Sequence, residues 1–314
     1  MPADLPAPTA SVETITAGLA AVDYIASRPI ATALLLARDL GKPVLVEGSA
    51  GVGKTELALS TARWLSLPLI RMQCYEGLDE SKALYEWKYG KQLLYTQLLK
   101  DKINEVLGET GDLTDALGRL ANFSDMFFSE QFLEPRPLLQ ALREPEGAVL
   151  LIDEVDKANE EFEAFLLEIL SAFQVTIPEI GTITAAHPPL VFLTSNNTRD
   201  MSDALKRRCL HLHIPLPDAR LEAAIVTARV PGIDARLTRQ VVAFVQALRA
   251  LDLKKLPSIS ETLDWARAIV LLHGAQIDRA LVRDTLNVLL KFEADIDHAE
   301  SQMTDLLRAA EAAD

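Results

Sequence analysis

The stretch Gly48-Ser49-Ala50-Gly51-Val52-Gly53-Lys54-Thr55 decides how the rest of the chain is read. It follows the pattern G-x-x-x-x-G-K-S/T without a gap, and its flanks fit that pattern. Val44-Leu45-Val46 before it is a short apolar run, and Thr55–Leu65 after it has helical periodicity. Between a strand and a helix, glycines let successive backbone N–H groups turn inward as an anion nest at the positive end of the helix dipole. Lys54 then supplies a cation for β- and γ-phosphates, and Thr55 a hydroxyl for Mg2+. The implied ligand is a nucleoside triphosphate, cradled by Gly48, Ser49, Ala50, Gly51, Val52 and Gly53.

Working outward, short apolar runs recur at Pro43–Glu47, Pro68–Gln73, Ala148–Ile152, Leu190–Thr194 and Leu210–Ile214, separated by helical stretches. Such runs read as strands buried on both faces, hence a five-stranded, mostly parallel α/β sheet. Ala148-Val149-Leu150-Leu151-Ile152-Asp153-Glu154 ends in two carboxylates at the edge where open α/β sheets bind ligands. Asp153 would hold Mg2+, and Glu154 would orient and polarise an attacking water. The second acid separates this pattern from P-loop kinases, which need no water-activating group. Val191-Phe192-Leu193-Thr194-Ser195-Asn196-Asn197 is another buried strand ending in polar groups. There an amide reaches the γ-phosphate or the water, unless the Asn pair only forms a turn. Lys206-Arg207-Arg208 is a basic cluster with three readings: a nucleic-acid patch, a solvated helix end, or an arginine finger offered to a neighbour's nucleotide.

The chain has 314 residues, with 49% hydrophobic and 24% charged, as expected of a globular protein. Its 31 basic against 45 acidic residues give a net charge of −14, the wrong sign for a sequence-independent nucleic-acid binder. Seventeen acids stand against five bases between Asp101 and Glu168, either as solvated helix faces or as an acidic docking surface. Cys74 and Cys209 have no metal-ligand spacing, read as buried thiols and suit a reducing cytoplasm. Neither a signal peptide nor a membrane-spanning run is visible, so no stable membrane insertion is expected. Residues 11–40 read as helical with a break at Pro29. From Pro217 the pattern becomes purely helical, over 219–229, 237–251, 260–273 and 279–295. The expected division is a frayed 1–10, an α/β nucleotide-binding domain over 11–216 and a helical unit over 217–314. His211 and His213 alternate on one strand and read as packing rather than a metal pair. Trp87 and Tyr89 read as a polar-loop pair, covering the core edge or meeting a partner.

Phosphate loop, acidic strand, polar strand and terminal arginine, in this order and before a helical segment, resemble the AAA+ ATPases. Alternating β-formers around Glu179-Ile180-Gly181, after a helix over Asn159–Phe173, read as an inserted hairpin similar to the MoxR-type branch. Gln73-Cys74-Tyr75-Glu76-Gly77-Leu78-Asp79-Glu80-Ser81, Tyr85-Glu86-Trp87, Leu193–Asp200 and Leu205–Cys209 resemble the subgroup that accompanies carbon-monoxide dehydrogenase maturation. The resemblance implies Mg2+-dependent ATP hydrolysis with Lys54 and Thr55 (Walker A), Asp153 and Glu154 (Walker B) and Asn196 (sensor 1). It implies Arg208 as the finger, with Arg207 as its alternative, and Tyr24-Ile25 as the adenine contact. It also implies a lid over 217–314 and a homo-oligomeric ring, most simply a hexamer. A von Willebrand-factor-A-domain partner and a metalloenzyme client complete the picture, with a nucleic-acid motor as the alternative function. Where the family carries a lid arginine this chain has Glu261, which leaves Arg267 as a lid candidate.

Overall fold

The computed structural model describes residues 11–108, 128–272, 274 and 276–313. Its strands are β1 (Val44–Glu47), β2 (Leu69–Gln73), β3 (Tyr85–Trp87), β4 (Leu133–Pro135), β5 (Val149–Asp153), β6 (Gln174–Ile177), β7 (Gly181–Thr184), β8 (Leu190–Ser195) and β9 (Leu210–His213). The helices begin with α1 (Val12–Ala20), α2 (Arg28–Leu40), α3 (Lys54–Leu65), α4 (Glu80–Ala83) and α5 (Tyr89–Gly108). After these come α6 (Pro137–Arg143), α7 (Glu160–Ala172), α8 (Asp203–Arg208) and α9 (Ala219–Arg229). The last are α10 (Ala235–Arg249), α11 (Ile259–Leu271), α12 (Arg279–Leu289), α13 (Glu293–Ser301) and α14 (Met303–Glu311). No helix among the described residues is long and apolar enough to cross a membrane.

The five apolar runs make one sheet, in the order β2-β5-β8-β1-β9. Every pairing in it is parallel. Helices cover both faces, which is why β1, β5 and β8 are apolar and buried at nearly every position. One face packs Leu45, Leu150, Ile152 and Leu193 against α6 and α7. The other packs Val44, Val46, Leu151 and Phe192 against α2 and α3. β6 and β7 form the antiparallel hairpin expected after α7, with Val175 and Ile177 turned inward. The side chain of Asn159 caps α7 by accepting from the Phe162 N–H, and Glu160, Glu161 and Glu163 follow in its first turn.

The helices from Ala219 onward have an apolar core of their own, built on Phe244, Leu248, Trp265, Val282 and Leu286. Within it, Trp265 Nε1 donates to Thr285 Oγ1 at 2.8 Å. Arg249 and Glu222 form a buried ion pair at 2.7 Å.

Several expectations need correction. Pro29 does not break a helix; it sits in the first turn of α2, where its missing N–H costs nothing. The break is the turn before it, where Asp23 takes a left-handed φ of 61°. The expected helix over 279–295 is two helices. Leu290 turns extended, which lets the Asp295 carboxylate accept from the Lys254 and Lys255 N–H groups at 2.9 and 3.2 Å. Trp87 is not in a polar loop: it lies on β3, buried edge-on against Tyr85 and Phe128. Tyr89 opens α5 in solvent. His211 and His213 are exposed rather than packed, with His211 Nε2 2.5 Å from Glu47. The acidic stretch from Asp101 lies partly at 109–127, outside the described residues. Of its described acids, Asp153, Asp156 and Glu163 are buried rather than solvated.

Cys74 and Cys209 are both buried. Burial pushes each thiol up to about 12, and nearby Asp153 adds to the effect at Cys74. The thiolate is the reactive form. At pH 8, 5,5′-dithiobis(2-nitrobenzoate) should therefore label the native protein about 10³-fold more slowly than the protein unfolded in guanidinium. Rapid labelling of a native thiol would show that its neighbourhood opens.

Candidate active site

Lys54, Thr55, Asp153, Glu154 and Asn196 come together at the edge where β1, β5 and β8 end, around one polar cleft. Parallel strands make this convergence possible, since all their C-terminal ends point to one side. Gly51 and Gly53 take φ of 78° and 98°, a region glycine enters freely. A Cβ on Gly51 would also stand 2.1 Å from Ser258 Oγ, so the loop can pass beneath α11 only as glycine.

The buried Lys54 ammonium lies inside this loop. It donates to the carbonyls of Gly48 and Ser49 at 2.7 and 2.9 Å and to Asn196 Oδ1 at 2.7 Å. Burial lowers its pKa, opposed by the charges of Asp156, Asp153 and Glu154. Thr55 Oγ1 faces both Asp153 oxygens, at 3.2 and 3.4 Å. Thr194 Oγ1 donates to Asp153 Oδ1 at 2.5 Å and accepts from the Glu154 N–H at 2.9 Å, so one hydroxyl positions both acids. Glu154 itself has a left-handed φ of 56°, a conformation uncommon outside glycine and frequent at functional sites.

The Glu154 carboxylate is held on both sides. Oε1 accepts from Asn196 Nδ2 at 3.2 Å. Oε2 accepts from Gln73 Nε2 at 2.8 Å and pairs with Lys157 at 2.6 Å. One Asn196 amide therefore links the loop lysine to Glu154. Its backbone is anchored in turn by Asp156, whose Oδ2 accepts from the N–H groups of Asn196 and Thr198 and from the Thr198 hydroxyl. Burial pushes the Asp156 carboxyl up, but those bonds outweigh it and hold its pKa below the ordinary value. Among the described residues, Asp156 Oδ1 is buried without a hydrogen-bond partner.

An adjoining apolar cleft is lined by Tyr24, Ile25, Val52, Ile214, Leu221 and Ile259. Tyr24 and Ile25 thus lie beside the loop. Burial pushes the Tyr24 phenol up, with the Glu56 charge adding to it. From the C-terminal helices, Ser260 meets Gly51: its N–H and hydroxyl donate to the Gly51 carbonyl at 3.2 and 3.1 Å. Glu261 caps α11 together with Ser258. Arg267 pairs with Asp264 and lines neither cleft. The arginine that does cross is Arg229, which lines the apolar cleft and pairs with Glu56 on α3 at 2.7 Å.

Arg207 and Arg208 lie outside both clefts. They end α8, just before β9, and Leu210 at the start of β9 pairs with Val44 at the start of β1. Arg208 is therefore near the edge where strands begin, opposite Lys54 and Asp153. It is exposed, and its Nη1 donates to the Leu167 carbonyl at 3.3 Å.

Sequence reading passed over Arg71, Gln73, Thr194, Asp156, Arg229 and Ser260 as site residues. A signal existed for the first two: Arg71 and Gln73 are i and i+2 on a strand and so share a face.

The oxygen donors suit Mg2+. Thr55 and Asp153 supply one hydroxyl and one carboxylate, and Mg2+ commonly completes its shell with phosphate oxygens and water. No cluster of three or more His, Cys, Asp or Glu able to hold a metal exists among the described residues.

Residues 43–209 match the family model for the AAA domain (dynein-related subfamily). An uncharacterized protein of Staphylococcus aureus (strain NCTC 8325 / PS 47) is 25% identical over 261 residues, spanning 80% of this chain and 86% of its own. One from Staphylococcus epidermidis (strain ATCC 12228 / FDA PCI 1200) gives the same identity and the same shares. Among solved structures, two point variants of Thermotoga maritima RuvB are similar. One has a TM-score of 0.44 at 15% identity, over 83% of this chain and 67% of that one. The other has a TM-score of 0.45 at 18% identity, over 83% and 68%. The family match spans more than half of the chain and contains the phosphate loop, both acids and Asn196, so the chain belongs to the AAA domain family (dynein-related subfamily).

Proposed function

We propose that this protein hydrolyses ATP to ADP and phosphate with Mg2+, as a ring of its own copies. The observation that carries this is the meeting of Lys54, Thr55, Asp153, Glu154 and Asn196 at one sheet edge beside an apolar cleft. The glycine loop and Lys54 bind the phosphates. Tyr24 and Ile25 line the cleft that takes the base. Thr55 and Asp153 would hold Mg2+, which would supply neutralisation of phosphate charge. Glu154 takes the proton of the attacking water; its Oε1 accepts only from Asn196 among the described residues, which leaves that oxygen a further acceptor position for the water. Asn196 keeps base and lysine in register. We take residues 217–314 as a lid, with Ser260 and Arg229 joining it to the loop and α3.

The place of Arg208, at the edge of its own sheet opposite Lys54 and Asp153, supports a ring, most simply a hexamer, in which it serves a neighbour's ATP. Remodelling of a metalloenzyme, in the manner of carbon-monoxide dehydrogenase maturation, rests on the resemblance of residues 73–81 and 193–200 to that MoxR-type subgroup. So does a partner with a von Willebrand-factor-A domain.

Isothermal titration tests the binding half. Lys54 places a buried cation within the loop, and a charge-assisted bond is worth roughly 1.5–3 kcal/mol. Lys54→Ala should therefore weaken ATP binding about ten- to a hundredfold. Wild-type affinity in the variant would sink the assignment of this loop. Capture of client and partner on a Glu154→Gln ring, followed by mass spectrometry, tests the remodelling half.

A further inference from the structure

β2 is an edge strand that aims two polar side chains at the Walker B acids. Gln73 pairs in register with Asp153 and bonds Glu154. Arg71 Nη2 stands 2.6 Å from Asp153 Oδ2 and 3.2 Å from Gln73 Oε1. Oδ1 of Asp153 already accepts from Thr194, and Thr55 is shared between both oxygens at longer range. Among the described residues, the only cationic group bonded to Asp153 is therefore the Arg71 guanidinium, because Lys54 is committed to loop carbonyls and Asn196.

The two partners differ in exposure. The Asp153 side chain is 6% exposed and the Arg71 side chain 52%. A nearly buried carboxylate needs a compensating charge. A half-exposed arginine supplies one that can move back to solvent at small cost. Both Arg71 and the oxygens that suit Mg2+ line the same polar cleft.

We propose that Arg71 is a built-in stand-in for the metal: it neutralises Asp153 when no divalent ion is bound and competes with Mg2+ for that carboxylate. Arg71 thereby sets how much Mg2+ the site needs to be loaded. The inference rests on reading this cleft as an Mg2+–nucleotide site. A guanidinium suits the task because its charge is permanent, so the competition persists across physiological pH.

Mn2+ serves as the spectroscopic probe. Electron paramagnetic resonance titration of the full chain with ADP counts free Mn2+ directly, without any turnover. Arg71→Ala and the longer, uncharged Arg71→Gln should each bind Mn2+ about three- to fivefold more tightly than wild type, the range set by a half-exposed ion pair. Arg71→Lys should stay close to wild type. If the alanine variant fails to fold, the glutamine variant carries the comparison. Unchanged or weaker Mn2+ binding in the folded neutral variants overturns the role of Arg71. If Asp153→Asn still loses Mn2+ in that case, the metal site itself stands. A wild type that takes up ADP but no Mn2+ overturns both.

Discussion

Glu154→Gln should bind ATP as tightly as the wild-type protein while losing hydrolysis by about 10²- to 10⁴-fold, the usual range for removing a general base. The substitution keeps size and planarity but removes the negative charge. The amide oxygen can still accept from Asn196 Nδ2, which holds the side chain in place, while the amide nitrogen gives up the bond that Gln73 Nε2 donates to the carboxylate. What it cannot do is accept a proton from water. Lys157 loses its charged partner at 2.6 Å, but it is exposed and returns to solvent. Binding should survive because the proposed phosphate contacts, the loop and Lys54, are untouched by the substitution. Phosphate release measured beside ATP titration separates the two effects. Turnover within about threefold of wild type would show that Glu154 is not the base.

The parts of this site that were legible in the sequence are local or repeat a known spacing. The loop 48–55 is contiguous, and the acids end an apolar run that has no other place than a buried strand. Asn196 is legible for the same reason, at the end of β8. The parts that were not legible depend on which strands become neighbours. Arg71 matters because β2 pairs with β5 at the sheet edge, and nothing between residues 69 and 149 announces that pairing. Arg229 and Ser260 matter because α9 and α11 fold back over the loop, some two hundred residues along the chain. The lid arginine sought near Glu261 illustrates the limit. That position is used to cap α11, and a cation crosses from α9 instead. The division at Leu290 was hidden for another reason: no glycine or proline marks it, and the apolar period runs on through Leu289 and Leu290. A tertiary bond from Asp295 to the 254–255 backbone decides there against local periodicity.

Arg208→Ala should leave ATP binding intact and lower hydrolysis by about 10³- to 10⁵-fold, the worth of an arginine finger. Arg207→Ala should cost less. If Arg208 is the finger, its position favours a neighbour's nucleotide over its own. β1 runs four residues from Val44, level with Leu210, to Glu47 at the loop. That is roughly 10 Å of strand between the arginine's edge and the phosphate edge. Mixing two inactive variants tests this geometry. Arg208→Ala subunits keep both Walker motifs, and Glu154→Gln subunits keep the finger. In a ring of head-to-tail contacts assembled from equal amounts, about one interface in four joins an intact Walker site to an intact finger. About a quarter of wild-type activity should therefore return on mixing. If Arg208 acted on its own subunit's ATP, no mixture could restore anything, because no single subunit would hold both groups. Verified co-assembly without recovered activity would defeat the assignment in trans. Assembly has to be checked at the ionic strength of the assay, since salt that splits the ring by screening charge contacts would imitate the same loss.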